Sequence, residues 1–133
     1  MMTAMMAQAD AQTRSTTGNT VAMAPAVKIT RADISLDGAE RAIDASMAEA
    51  ARNGWTISVA VVDVAGELVA FRKAGGAIGI SPGVAMGKAR TAALLQAPSK
   101  EFEEFINNGR PSFLSTPGVT ALEGGVPSSS TAR

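Results

Sequence analysis

The alternation of apolar and polar positions predicts a helix early in the patterned part of the chain. From Ser35 to Asn53 apolar residues recur at helical spacing, namely Leu36, Ala39, Ile43, Met47 and Ala50. Ser35 can cap the amino end, and Gly54 after Asn53 can supply a left-handed stop. Residues 1–27, by contrast, show no period and offer no face to bury, so we expect a disordered tail there.

The next segment has the pattern of a β-hairpin. Thr56 to Val62 is nearly all apolar and rich in β-branched residues, as in a strand that is buried on at least one face. Residues 63–66 are typical of a turn, and the apolar pattern resumes from Glu67 to Arg72. We therefore expect two antiparallel strands, followed by a glycine-rich loop at residues 73–79.

Two further helices are predicted in the second half of the chain. Ser81 followed by Pro82 is typical of a cap with proline at the first helical position, and the Ala-rich segment continues to Gln96. A shorter helix starts after Ser99 and stops at residues 108–109. Residues 110–133 are rich in Pro and Gly, so we expect a loop with room for one strand.

Composition removes whole classes of chemistry. The chain has no Cys, His or Tyr, which excludes thiolate nucleophiles, disulfides, Cys or His zinc sites and imidazole bases. We expect no metal site. Twelve basic and twelve acidic residues cancel, which argues against nucleic acid as a main partner. Aromatic residues make up only 4%, so the core has to consist of small aliphatic side chains.

The chain also lacks a pattern that would place it in a membrane. No apolar run reaches the length needed to span a bilayer, so we expect no membrane partner. The first residues, MMTAMMAQADAQ, lack the basic start and the sustained apolar stretch of an export signal. We therefore expect a cytoplasmic location, with an exported form as the alternative.

Lys88 is the first candidate for a ligand-binding role. It shares a helical row with Val84, Thr91 and Leu95, so an ammonium group sits on a stripe that otherwise faces inward. Its stem can lie along apolar surface while its head reaches water. Alternatively, it can hold a carboxylate or act as a base in a pocket. Residues 68–100 contain cations and no acid, so a hollow formed there would prefer anions.

Three further residues are candidates for ligand binding. Asp63 directly follows the first hairpin strand, where an acid is commonly a turn former that bonds the backbone two residues on. The alternative is a carboxylate at the mouth of a site. Arg110 and Glu123 flank a Pro- and Gly-rich segment that can fold over a pocket, or they form a solvated surface pair.

Several segments, in this order along the chain, resemble the GlcG/HbpS family. They are SVAVVDVAGELV at residues 58–69, GKARTAA at 87–93, GRPSFLSTPGV at 109–119 and EGGVP at 123–127. The resemblance implies a profilin-like α+β fold, with an antiparallel sheet and packed helices, and assembly into dimers to octamers. It marks Lys88 as the motif lysine and Asp63 as the acid after the first strand. Members of this family accompany glycolate use, cobalamin-dependent diol use, aromatic-compound breakdown and extracellular haem sensing.

The resemblance also sets the expected domain boundaries. We expect a tail at residues 1–27, a GlcG/HbpS-like domain at 28–127 and a Ser-rich tail at 128–133. The family continues after EGGVP with two strands and a helix, so the fold is expected to be C-terminally shortened. A sheet without those strands exposes an unpaired edge. We therefore expect at least a homodimer, with the Ala-rich surface of residues 85–93 at the contact.

These observations favour an oligomeric accessory protein that binds a small ligand, namely an organic acid or a catabolic intermediate. Two alternatives stay open. One is a haem-binding or haem-degrading protein, with haem as the candidate cofactor, although the lack of His removes its usual ligand. The other is an enzyme in which Lys88 and Asp63 form an acid/base pair acting on a small organic acid.

Overall fold

The computed structural model describes Met2, Thr3, Val27, Ile29 and residues 31–128. Its elements, in chain order, are β1 (Met2–Thr3), α1 (Leu36–Arg52), β2 (Ser58–Val62), β3 (Leu68–Lys73), α2 (Ser81–Leu95), α3 (Lys100–Asn107) and a 3₁₀ helix (Pro111–Ser115). Most of the tail predicted at residues 1–27, and residues 129–133, lie outside the described residues. The predicted domain boundaries therefore stay predictions.

Helix α1 begins and ends where its local signals indicate. The Ser35 Oγ accepts a hydrogen bond of 3.0 Å from the backbone N–H of Gly38, so Ser35 is the predicted cap. After the last turn, Gly54 has a φ of 69°, the left-handed conformation that glycine adopts at low cost. Both end signals lie in the sequence itself, which explains why the predicted bounds differ from the observed ones by a single residue.

Strands β2 and β3 form the predicted antiparallel hairpin. Their register runs from Ser58 opposite Lys73 to Val62 opposite Leu68, with an irregularity between Val61 and Val62. On its other side, β2 pairs in parallel with β1, which gives the strand order β1-β2-β3. Residues 2–3, within the tail expected at residues 1–27, thus pair with β2.

Strand β2 is buried on both faces because the two long helices pack on opposite sides of it. Alternate residues of a strand point to opposite faces. On one face, the contact with α2 consists of Ala60, Val62, Ala85, Ala89 and Ala93. On the other face, the contact with α1 includes Ala39, Ile43, Val59 and Val61. The mixture of helices with a mainly antiparallel sheet confirms the α+β class.

Helix α2 corrects two sequence expectations. Its cap position is Ile80, and Ser81 is the first helical residue. The Ser81 hydroxyl does not cap the backbone but forms a 2.8 Å hydrogen bond with the Ser58 hydroxyl. The Ala-rich surface of residues 85–93 lies largely within the fold, against β2, and therefore does not form the expected subunit contact. Alanine lets the helix backbone approach the sheet closely, which explains why the alanine row is buried more deeply than the row of Lys88.

The C-terminal part packs on the helices without adding a described strand. Helix α3 follows the predicted bounds, and Gly109 after it has a φ of 92°. The rings of Phe102, Phe105 and Phe113 lie within 5.2–6.4 Å of one another and join α3 to the 3₁₀ helix. Residues 116–128 are irregular. Among the described helices, none is long and apolar enough to cross a membrane.

Candidate functional site

An open cleft of about 660 Å³ lies between α1, the start of β2 and α2. This volume is within the range of small-molecule sites. Its lining residues are Ala45, Ser46, Glu49, Ala50, Trp55, Ile57, Ser58, Val59, Lys88 and Gly124. Most of the lining is apolar, with a few polar groups, as in a site that buries the body of a ligand and orients its polar end.

Lys88 supplies a cation to this cleft. It is half-buried, and its ammonium has no hydrogen-bonding or ion-pair partner within the described part of the chain. Three other cations of residues 68–100 are paired with acids from elsewhere, namely Arg72 with Asp44, Arg90 with Glu67 and Lys100 with Glu123. Lys88 is therefore a cation available to an anionic ligand in the cleft.

The other polar groups of the cleft are largely engaged. The Ser46 hydroxyl donates to the Ala42 carbonyl oxygen at 2.9 Å. The Glu49 carboxylate is paired with Arg52 and accepts from the Asn53 side-chain amide at 3.1 Å. The indole of Trp55 is 60% exposed at the cleft wall. Among the described side chains of the lining, the Lys88 ammonium and the Trp55 indole N–H have no hydrogen-bond partner and are thus donors available to a ligand.

One wall of the cleft comes from the EGGVP segment, which lies directly on the backbone of Lys88. A Cβ atom at Gly125 would lie 2.1 Å from the Lys88 carbonyl oxygen. A Cβ atom at Gly87 would similarly lie 2.2 Å from the Thr120 Oγ1. Because real Cβ contacts are never this short, glycine is what allows residues 120–125 to approach α2 so closely. The two family motifs, GKARTAA and EGGVP, therefore meet at Lys88.

Two buried hydroxyls hold this wall in place. The Thr91 Oγ1 donates to the Gly87 carbonyl oxygen and accepts from the backbone N–H of Thr120, both at 2.8 Å. The Ser99 Oγ donates to the Leu122 carbonyl oxygen at 2.6 Å and accepts from the backbone N–H of Gly125 at 2.8 Å. The wall is thus held by hydrogen bonds between these two hydroxyls and its backbone more than by apolar burial.

Asp63 lies in the hairpin turn and not in the cleft lining. Its Oδ1 accepts hydrogen bonds of 2.9 Å from the backbone N–H groups of Ala65 and Glu67, which is the turn-forming geometry considered from the sequence. Ser58, at the cleft, is five residues away along β2, a distance of roughly 16 Å at the rise of a strand. The structure does not bring Asp63 together with Lys88.

Arg110 and Glu123 also lie outside the cleft lining. The Arg110 guanidinium is 6.0 Å from the centre of the Phe113 ring, a cation–π arrangement. The Glu123 carboxylate is 3.6 Å from the Lys100 ammonium, and its backbone N–H donates to Glu103. The two residues are therefore not a surface pair with each other, and Glu123 reaches the site only through its neighbour Gly124.

Sequence reasoning missed most of the cleft lining. Trp55 has a signal that could have found it, since it is the only Trp of the chain and follows the helix stop directly. Ser58 and Glu49 carry no such signal, because their inclusion depends on how α1 packs against β2. No group of three or more His, Cys, Asp or Glu in the described ranges could hold a metal ion.

The fold and the cleft define a small α+β protein with a ligand-sized, mainly apolar cleft that contains one cation. A family model described as "Haem degrading protein HbpS-like" matches residues 34–131. The chain belongs to this HbpS-like family. Membership supports a small-ligand-binding accessory protein as its general class.

Individual relatives agree with this assignment. Protein GlcG of Escherichia coli strain K12 is 41% identical over 98 residues, which cover 74% of this chain and 73% of the relative. A crystal structure of HbpS is 33% identical with a TM-score of 0.67, over 71% of this chain and 67% of that one. A double mutant of HbpS from Streptomyces reticuli is 28% identical with a TM-score of 0.71, over 88% of this chain and 80% of that one.

The cleft does not fit haem through the usual protein ligands of its iron. Those ligands are His, Cys, Met and Tyr side chains. Among the described residues that line the cleft, none is of these types. Lys88 carries the only basic side chain in the described lining, and it suits the propionate or carboxylate end of a ligand better than a metal.

Proposed function

We propose that this protein is an accessory protein that binds a small organic acid, or a catabolic intermediate with a carboxylate, in the cleft beside Lys88. The observation that carries the proposal is the half-buried Lys88 at a mainly apolar cleft, with an ammonium that has no partner in the described residues. A charge-assisted hydrogen bond from such a group is stronger than a neutral one. The apolar lining would take up the carbon skeleton of the acid.

Two other functions are less well supported by the geometry. An enzyme that uses Lys88 and Asp63 as an acid/base pair needs both groups at one cavity, and Asp63 is instead bonded within its turn. Haem binding draws support from the description of the family model, but the residues described along the cleft include none of the usual axial ligands. The absorption spectrum after mixing with haemin tests this second candidate directly.

A thermal-shift screen of small carboxylates, from glycolate to succinate and benzoate, tests the proposal. A ligand at a hundred times its Kd stabilises the native state by about 2.7 kcal/mol, which is a readily measured shift in Tm. Binding should also change the fluorescence of Trp55, the only Trp, which lies at the cleft wall.

Lys88→Ala tests whether Lys88 binds a ligand in the cleft or only extends its ammonium into water. We expect it to weaken carboxylate binding about tenfold or more, since it removes a charge-assisted hydrogen bond, while the Tm of the free protein barely changes. Lys73→Ala is the matched control, because Lys73 is an exposed lysine at the end of β3. If Lys88→Ala binds as well as the wild type, the pocket role is wrong.

We further propose that the protein is a homo-oligomer. In the part of the chain that the structure describes, no strand pairs with residues 58–60 on the side of β2 that faces away from β3. Ile78 and Ile80 are also exposed in the loop before α2. An open strand edge and exposed apolar side chains favour association. Light scattering at micromolar concentration checks this, and a well-folded monomer would contradict it.

A further inference from the structure

The cleft wall at residues 120–125 depends on two buried side chains whose role the ligand proposal does not explain. Thr91 and Ser99 are both 0% exposed, although each carries a hydroxyl. Burial of a hydroxyl is unfavourable unless it is hydrogen-bonded. Both hydroxyls are used in the same way, since each one bonds the backbone of the C-terminal segment. An apolar side chain would fill a core position without a hydroxyl. The two hydroxyls therefore point to a role in holding the wall.

Ser99 holds the wall on both sides of the residue that faces the cleft. Its hydroxyl donates to the Leu122 carbonyl oxygen at 2.6 Å and accepts from the Gly125 N–H at 2.8 Å. Its own backbone N–H donates to the Gly125 carbonyl oxygen at 2.9 Å. Gly124, the wall residue that lines the cleft, lies between these two anchor points.

Thr91 holds the wall at the turn of α2 that carries Lys88. Its hydroxyl links the Gly87 carbonyl oxygen to the Thr120 N–H. Gly125 meanwhile contacts the Lys88 backbone so closely that it leaves no room for a Cβ atom. A displacement of the wall would therefore change the surroundings of Lys88 directly.

We propose that Ser99 and Thr91 are positioning residues, which hold residues 120–125 against α2 so that Gly124 and Lys88 line one cleft. The expected effect on ligand affinity rests on the proposed function. The expected effect on the surroundings of Lys88 is independent of it. Neither residue lines the cleft itself. Each acts on a ligand only through the wall.

The test compares how fast Lys88 and Lys73 react with an acetylating N-hydroxysuccinimide ester, quantified peptide by peptide by mass spectrometry. Lys73 is an internal reference on exposed β3. In Thr91→Val, which loses one hydrogen bond to the wall, we expect the Lys88-to-Lys73 rate ratio to rise about fivefold, because one such bond stabilises the contact of residues 120–125 with α2 by about that factor. In Ser99→Ala, which loses two, we expect a rise at least as large. Thr91→Ser keeps the hydroxyl and should restore the wild-type ratio.

Ser115→Ala is the matched control, since the exposed Ser115 hydroxyl bonds only the nearby Ser112 carbonyl oxygen at 2.7 Å. A purely structural role would lower the Tm of Ser99→Ala and Thr91→Val without changing the rate ratio, and that result overturns the proposal. Failure of both variants to fold also overturns it, because the hydroxyls would then serve the whole fold.

Glycolate titrated against Trp55 fluorescence supplies the ligand arm of the test. If it binds the wild type, we expect an affinity at least about fivefold lower in Ser99→Ala and unchanged in Ser115→Ala. If no carboxylate binds the wild type, the proposed function fails, while the Lys88-to-Lys73 ratio still decides the positioning role.

Discussion

The β2 core and the 120–125 wall are held by different kinds of interaction. In the core, alanine and branched aliphatic side chains from α1 and α2 cover both faces of β2. In the wall, Leu122 is exposed, and the contacts are hydrogen bonds with Thr91 and Ser99 together with close approaches at glycines. The core is stabilised by the volume of its side chains, whereas the wall can approach α2 only because glycine has no side chain.

This difference determines what each region tolerates. A core of small side chains loses stability when atoms are removed, because the cavity that remains is only partly refilled. The wall loses stability when atoms are added, because the backbone of α2 already occupies the space. Substitutions that remove atoms in one region and add them in the other therefore test the comparison.

The largest effect is expected from Ile43→Ala. Ile43 is 1% exposed and packs on Val59 and Val61 in the α1 face of the core. We expect the free energy of unfolding, measured by urea denaturation, to fall by about 3 kcal/mol. Leu36→Ala on the same helix is the control, since Leu36 is exposed and its truncation should cost no more than about 0.5 kcal/mol. Equal losses in the two variants would mean that α1 does not pack as described.

Gly125→Ala should have the next largest effect. The added Cβ would lie 2.1 Å from the carbonyl oxygen and 2.7 Å from the carbonyl carbon of Lys88, and this backbone cannot rotate away. We expect a loss of about 2 kcal/mol in the free energy of unfolding. Gly75→Ala is the control, because a Cβ at Gly75 would meet nothing within 4 Å. An unchanged stability of Gly125→Ala would show that the wall lies farther from α2.

The comparison also explains how much the sequence could predict. The bounds of α1 follow from Ser35 and Gly54, and the burial of β2 follows from its unbroken apolar run, since both signals are local. The contact of Gly125 with Lys88 joins residues far apart in sequence, and nothing near either residue indicates it. Ser81 is instructive in the same way, because its local pattern predicts a cap while the tertiary fold directs its hydroxyl to Ser58.

The same contrast between local signals and contacts distant in sequence separates the candidate site residues. Lys88 is a candidate because a charge within an apolar helical row is a local anomaly, and the structure locates it at the cleft. Asp63 is a candidate because it follows a strand, but the same position suits a turn, and the turn accounts for its hydrogen bonds. For Ser99 the sequence indicates only a helix start, because its buried contacts with residues 122 and 125 have no sequence signature.

The smallest change in stability is expected from alanine substitutions at Gly83 and Gly87, two glycines of α2 that differ mainly in their surroundings. A Cβ at Gly83 would meet nothing within 4 Å, whereas a Cβ at Gly87 would lie 2.2 Å from the Thr120 Oγ1. Helix propensity alone predicts that alanine stabilises both positions, by up to about 1 kcal/mol each. We expect that gain for Gly83→Ala, and a loss of about 1 kcal/mol for Gly87→Ala, since Thr120 can shift at a moderate cost.

Thermal unfolding of both variants and of Gly87→Ala combined with Thr120→Ala measures the coupling between residues 87 and 120. Stabilisation of equal size at both glycines, without coupling to Thr120, would show that the wall does not pack against this turn of α2.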